Sequence, residues 1–326
     1  MPEGHSVHRI ARQFDRHFVG DTVAVSSPQG RFADGAALIN GRTMTDSTAV
    51  GKQLFLEFDE ALYLRVHLGI YGAWDFGGDV ARDATTRASR GRMGQTGMRG
   101  ADTRVVGEHE DSLASIGAPR RTRLRMAEQE TVTAALEGFP PEPVGQVRAR
   151  LLTESAVADL RGPTACEVLD AEAVQRVIDG LGPDPLVDDP DEGEQRMVER
   201  VRSRRTPIGL LLMDQSVVSG IGNVYRAEIL FRARLDPHIR GSELSDEVVR
   251  ELWRDWRYLL GVGVDTGQML TMDDLDEEAR ARALRNRADR HWVYKREGLP
   301  CRICGTHIVL EMAAARKLYY CPTCQR

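Results

Sequence analysis

From Glu3 to Phe18 apolar residues recur at Val7, Ile10, Ala11, Phe14 and Phe18, a spacing of three and four that predicts one helix with a buried stripe. Up to about residue 76 the pattern then changes to short apolar runs divided by turn residues, as in Thr22 to Val25, Leu54 to Phe58 and Leu62 to Val66. The last two flank Asp59-Glu60 and predict a β-hairpin. From Gly77 to about Pro119 the chain is rich in Gly, Arg, Ser, Thr and Asp and has no aromatic residue. Such a stretch buries too little apolar surface to offset the entropy of ordering it, so a mobile insertion is expected over about 77–119. Strand-like runs return near Leu124, near Val132 and from Val157 to Val168.

The Pro- and Asp-dense run Gly182-Pro183-Asp184-Pro185 to Asp191 reads as a linker. Beyond it the pattern is helical, through Met197, Val198 and Val201, then Ile208 to Met213, Val224 to Phe231 and Val248 to Leu260. The pattern divides the chain into a β-rich part over 1–180, a hinge at 181–192, a helical part over 193–290 and a terminal module at 291–326. The longest apolar run, Ile208 to Met213, is far too short to span a bilayer, so no membrane partner is expected.

The terminal module holds four of the five cysteines, spaced Cys301-x2-Cys304-x16-Cys321-x2-Cys324. Met1-Pro2-Glu3-Gly4-His5 has neither a basic head nor an apolar run, so no secretion signal is expected and a reducing, cytoplasmic setting follows. There, two Cys-x2-Cys turns are metal ligands rather than disulfide partners, and a four-thiolate tetrahedral shell favours one zinc ion. The shell leaves no open coordination position, so this zinc is expected to be structural. Thr306 to Leu310 and Lys317 to Tyr320 have strand composition and suggest a hairpin between the knuckles. Such a ribbon serves protein and nucleic-acid partners alike. Cys166 stands alone and receives no role.

A formal net charge of −5 over 326 residues speaks against a uniformly basic nucleic-acid coat. The charge is unevenly spread. Arg280 to Arg326 carries eleven Lys or Arg against three Asp or Glu, a local +8, which leaves 33 basic and 46 acidic side chains, net −13, on the remaining 279 residues. This points either to a localised phosphate contact or to a solvated face.

Pro2 and Glu3 matter because methionine is trimmed before a small residue, which would leave Pro2 with a free secondary amine. An α-amino group titrates near pH ~8, so a useful fraction is neutral and nucleophilic at physiological pH. Such an amine condenses with an aldehyde-type carbon to an iminium, and the adjacent Glu3 carboxylate can move protons. The competing possibility is an exposed, flexible chain start.

Several segments, in order, resemble the formamidopyrimidine-DNA glycosylase and endonuclease VIII family. Met1-Pro2-Glu3-Gly4 resembles the endonuclease VIII opening, and Gly51-Lys52-Gln53-Leu54-Phe55 the family's lysine-bearing hairpin. His67-Leu68-Gly69-Ile70-Tyr71-Gly72-Ala73-Trp74 is similar to the strand and turn that follow. Leu211 to Gln215 with Gly220-Ile221-Gly222-Asn223-Val224-Tyr225-Arg226-Ala227-Glu228 is similar to its helix–two-turn–helix element, and Arg296 to Gln325 to its zinc finger.

The resemblance implies a multidomain α+β fold: an N-terminal β-sandwich with flanking helices, a helix–two-turn–helix domain and a C-terminal zinc-finger β-hairpin. It implies a bifunctional DNA glycosylase and abasic-site lyase of base excision repair, acting by β,δ-elimination on DNA with damaged bases or abasic sites, as a monomer associated with a bacterial nucleoid. The alternative is a relative that binds lesions or abasic sites with little or no glycosylase activity. Pro2, Glu3 and Lys52 fall on catalytic positions, His67, Asn223 and Arg316 on DNA-binding ones, and Cys301, Cys304, Cys321 and Cys324 on the metal ligands. Ile70 and Tyr71 match the wedge that fills the gap left by an extruded base; packing at a strand end is the other reading of that pair. Two departures bear on the choice of lesion. Ser6 replaces the second glutamate of the usual Pro-Glu-x-Pro-Glu opening, and Gly69 stands where endonuclease VIII carries a polar residue.

Overall fold

The apolar stripe at the chain start forms α1 (Gly4–His17), with Val7, Ile10 and Phe14 buried beneath it. This computed structural model describes residues 2–80, 92–93, 114–117, 139–273 and 275–326. Most of the expected insertion and the runs near Leu124 and Val132 lie outside the described residues. The chain divides into two units, Met1–Val177 and Ile178–Arg326.

In the first unit α1 is followed by β1 (Thr22–Ser26), α2 (Ala33–Ile39), β2 (Arg42–Val50), β3 (Gln53–Phe58), β4 (Leu62–His67) and β5 (Ala73–Gly78). Then come the short β6 (Arg92–Met93) and β7 (Ala114–Gly117), with β8 (Val147–Leu152), β9 (Ala156–Arg161), β10 (Ala165–Asp170) and α3 (Ala171–Asp179). The expected hairpin is β3–β4, antiparallel in register from Gln53↔His67 to Phe58↔Leu62. The run from Val157 to Val168 is two strands, because Gly162-Pro163-Thr164 breaks it.

Among the described residues the strand order is β10-β4-β3-β2-β1-β8-β9-β5-β7-β6. β1 changes partner midway. Thr22 and Val23 pair with β2, while Ala24, Val25 and Ser26 pair with β8, and this folds the ladder into the two layers of a β-sandwich. Leu54, Leu56, Leu64 and Val66 of one layer share a core with Trp74, Phe76, Leu151 and Leu160 of the other. Phe14 of α1 closes it, its ring edge-on to Trp74 at 4.8 Å.

Simple alternation fails on β5, β8 and β9, where the second face is buried too. Asp75 lies directly opposite Asp159, and each carboxylate is gripped by an arginine fork. Arg161 meets Asp75 at 2.5 and 3.0 Å, and Arg150 meets Asp159 at 2.7 and 3.1 Å. Two like charges can be buried side by side only because each has its own bidentate partner.

The second unit holds α4 (Pro190–Arg202), the short α5 (Ile208–Leu211), α6 (Asn223–Arg232), α7 (Asp246–Thr266), α8 (Glu277–Arg285) and the hairpin β11 (Val309–Ala313) and β12 (Arg316–Tyr320). Gly182 to Pro185, linker-like in composition, are buried. The Gly182 N–H donates to Gln215 O at 2.7 Å, Ser219 N to Pro183 O at 3.0 Å and Ser219 Oγ to Gly182 O at 2.6 Å. These bonds pack the start of the Pro- and Asp-dense run against residues 215–219 of the same unit. Trp253, Trp256, Tyr225 and Leu212 centre the helical core. The first finger strand starts at Val309 rather than Thr306, because Thr306 O accepts from the Cys301 N–H at 2.8 Å and so belongs to the knuckle. No helix among the described residues is long and apolar enough to cross a membrane.

Candidate active-site and nucleic-acid-binding residues

Glu3 is extended at φ −120°, ψ 178° and caps α1, its carbonyl accepting from Ser6 N at 2.9 Å. Pro2, Glu3, His5 and Ser6 are all buried, as are Arg9 and Gln13 further along the helix. Buried polar groups at a helix start are informative, since surface fraying would leave them wet. Burial here is that of a chain start packed against the fold. Burial foremost, then the Arg9 charge, lowers the His5 imidazole to about 3, so it is neutral at physiological pH; its Nε2 lies 3.2 Å from Ser6 Oγ.

Lys52 occupies the β2–β3 turn, half-buried, after Gly51 at φ +59°. His67 ends β4 opposite Gln53. Burial and then the nearby Lys52 and Arg65 charges lower its pKa, which places Lys52 and His67 at one corner of the sheet. α1 lies across β2 and β3, the strands whose connection carries Lys52.

Ile70 and Tyr71 stand out from the next turn, 58% and 63% exposed, so they are not core residues. The turn is held by Gly72 N donating to Leu68 O at 2.8 Å, and Leu68 is buried. Gly69 has φ +62°, and a Cβ there would come within 1.8 Å of Thr164 Oγ1. Both the left-handed backbone and the packing require glycine, which accounts physically for the departure at this position.

In the second unit, Gln215 staples the turn before α6. Its Oε1 accepts from Gly220 N at 3.0 Å and its Nε2 donates to Ile221 O at 3.0 Å. Gly220 has φ +87°. Asn223, the first residue of α6, donates from Nδ2 to Lys317 O on β12 at 2.8 Å. Arg316, exposed, is the preceding residue, so the two expected phosphate-gripping residues of this unit share one locality.

Two residues of α6 have a structural part that their places in the resemblance did not reveal. Arg226, fully buried, donates to Lys317 O at 2.9 Å, to Gly209 O at 3.2 Å and to Asn223 Oδ1. Glu228, also fully buried, accepts from Trp292, Val293 and Tyr294 N–H at 2.7, 2.9 and 2.8 Å and from Thr271 Oγ1. The available signal was charge inside an apolar helical run, Val224 to Phe231, since such charges are buried only with partners.

The four cysteine Sγ atoms lie within 4.8 Å of one another, with Cys301 to Cys324 at 3.9 Å and Cys304 to Cys321 at 3.4 Å. A tetrahedron with Zn–S of ~2.3 Å has edges of about 3.8 Å, so the donor set fits one structural zinc. Cys166 belongs to β10 of the first unit, and burial pushes its thiol up to about 12, which makes it unreactive.

Residues 1–109 match the formamidopyrimidine-DNA glycosylase N-terminal domain, 181–274 the formamidopyrimidine-DNA glycosylase H2TH domain, and 298–326 the zinc finger found in FPG and IleRS. The fold resembles that of Lactococcus lactis Fpg solved with an abasic site containing DNA, at TM-score 0.65 and 18% identity over 99% of each chain. It also resembles MutM (FPG) of Thermus thermophilus, at TM-score 0.63 and 23% identity over 99% of this chain and 98% of that one. Together these define the class: an Fpg-like protein with β-sandwich, helix–two-turn–helix domain and zinc-finger hairpin. Endonuclease 8 1 of Mycobacterium tuberculosis is 36% identical over 325 residues, all of both chains, and a formamidopyrimidine-DNA glycosylase of an Acidovorax species is 29% identical over 330, again all of both. The chain belongs to the formamidopyrimidine-DNA glycosylase and endonuclease VIII family.

Proposed function

We propose that the protein is a bifunctional DNA glycosylase and abasic-site lyase of base excision repair, of the endonuclease VIII branch, working as a cytoplasmic, nucleoid-associated monomer. The observation that carries this reading is the burial of Pro2 and Glu3 at the start of α1, which supports a nucleophile and a carboxylate held in a site. With Met1 removed, the Pro2 nitrogen attacks C1′ of the flipped nucleotide as Glu3 gives a proton to the sugar ring oxygen and the C1′–O4′ bond breaks. The proton on the Pro2 nitrogen passes to the base as the C1′–base bond breaks, the base leaves, and a C1′ iminium joins protein and opened sugar. That electron sink acidifies C2′: loss of a C2′ proton expels the 3′ phosphate, and loss of a C4′ proton then expels the 5′ phosphate. Glu3 moves these protons, and Lys52 stabilises the developing charge. Water on the iminium carbon releases Pro2.

His67, Asn223 and Arg316 hold the backbone, with Arg316 suited to a bidentate phosphate contact. Ile70 and Tyr71 fill the stack; their exposure on a glycine-fixed turn supports this. Bound zinc orders the finger through Cys301, Cys304, Cys321 and Cys324. The parts are taken as a catalytic domain at 1–180, a hinge linker at 181–192, the helix–two-turn–helix DNA-binding domain at 193–290 and the zinc finger at 291–326.

The test is borohydride trapping on abasic-site DNA. Wild-type protein is expected to form a reduced covalent adduct, with the sugar remnant on the Pro2 nitrogen by peptide mass. Absence of an adduct, or an adduct on another residue, refutes the mechanism.

A further inference from the structure

Asn223 and the Arg316–Lys317 strand belong to elements 94 residues apart in sequence, measured from Asn223 to Lys317, yet one buried side chain binds both. The Arg226 guanidinium donates to oxygen acceptors on different elements, among them Gly209 O in α5, Lys317 O in β12 and the Asn223 side-chain Oδ1. A guanidinium is a rigid fork of donors with no acceptor. Its contact with Asn223 therefore fixes which end of that amide is oxygen. The NH2 end is left to face Lys317 O with one hydrogen, and its second hydrogen remains for another acceptor. Lys317 O in turn receives two donors, from Asn223 and Arg226.

We propose that Arg226 is a positioning residue that joins Asn223 and Arg316 into a single phosphate clamp. Resting on the reading of these two residues as backbone contacts, this adds a third residue that touches no DNA. Arg226 is wholly buried, so its effect on DNA must pass through its neighbours. Without it the Asn223 amide loses the partner that sets its orientation, and Lys317 O keeps one donor of two. The strand bearing Arg316 is then held to α6 less tightly. A residue that only filled space would affect folding without any preference for the Asn223 contact.

The experiment is a double-mutant cycle on the zinc-loaded full chain, measuring affinity for a duplex carrying a stable abasic-site analogue. Thermal stability and zinc content are read in parallel. Arg226→Met is expected to weaken binding roughly tenfold in the wild-type background and less than about twofold in Asn223→Ala/Arg316→Ala, where both contacts it positions are already gone, the signature of residues acting as a unit. Equal factors in the two backgrounds overturn the proposal, since a structural defect adds to the loss of the two contacts instead of overlapping with it. Should Arg226→Met not fold, Arg226→Lys, whose compact head cannot reach all three acceptors, is put through the same cycle with the same two outcomes. Asn223→Ala alone separates the levels: unchanged affinity in that variant defeats the reading of Asn223 as a phosphate contact and the inference with it. A weakened Asn223→Ala with equal Arg226 factors in the two backgrounds defeats the inference only.

Discussion

Glu228→Gln tests how the finger is attached to α6. The carboxylate has two donors on each oxygen: Trp292 N and Thr271 Oγ1 on Oε2, Val293 N and Tyr294 N on Oε1. Glutamine keeps one oxygen and turns an NH2 toward the other pair. The Thr271 hydroxyl can rotate away, since Arg290 O lies 3.0 Å from it as an alternative acceptor, but the Trp292 N–H cannot. One buried backbone N–H is orphaned, at about 1–3 kcal/mol, and two surviving bonds lose their charge assistance, about 1 kcal/mol each. Against this, a neutral amide is less costly to bury than a carboxylate. A net loss of about 3 kcal/mol is expected. For a unit of this size that is a fall of roughly 6–12 °C in Tm. Differential scanning calorimetry of the zinc-loaded protein measures it, with the transition of the β-sandwich unit as internal reference. A shift below about 2 °C, or one shared equally by both transitions, refutes the reasoning.

Other consequences follow from particular contacts. Arg161→Met removes the bidentate partner of the buried Asp75 carboxylate and should cost the first unit about 3–5 kcal/mol, while the double change Asp75→Leu/Arg161→Met should recover most of it; denaturant unfolding decides, and a double variant no better than the single one is the contrary result. Burial pulls the His238 imidazole down, but its hydrogen bonds to Glu311 at 2.7 Å and Asp236 at 2.6 Å prevail and raise its pKa. Its contribution to stability is thus complete below pH ~6.5 and lost as pH rises through the raised value. The imidazole proton shifts should titrate above ~6.5 and move back toward it in Glu311→Gln, and an unshifted midpoint in wild type counts against the ion pairs. Removing zinc with a chelator should release about one ion per chain and lower DNA affinity while leaving the β-sandwich transition in place; unchanged affinity would show that the finger does not bind DNA.

Much of this molecule is readable along the chain because the relevant forces are local. The stripe from Val7 to Phe18 makes α1 wherever an apolar surface is offered, Asp59-Glu60 turns β3 into β4, and the two Cys-x2-Cys knuckles prescribe their own metal. The acid–amine pair at Pro2 and Glu3 and the family resemblance are likewise properties of residue order. Tertiary structure decided what depends on partners distant in sequence. It buried Pro2 and Glu3, left Ile70 and Tyr71 exposed, and buried Gly182 to Pro185 despite their linker composition. It also brought Lys317 to Asn223 and the backbone of 292–294 to Glu228. A buried charge or an unsatisfied N–H is tolerated only where another segment supplies its partner, and periodicity does not report which segment that will be.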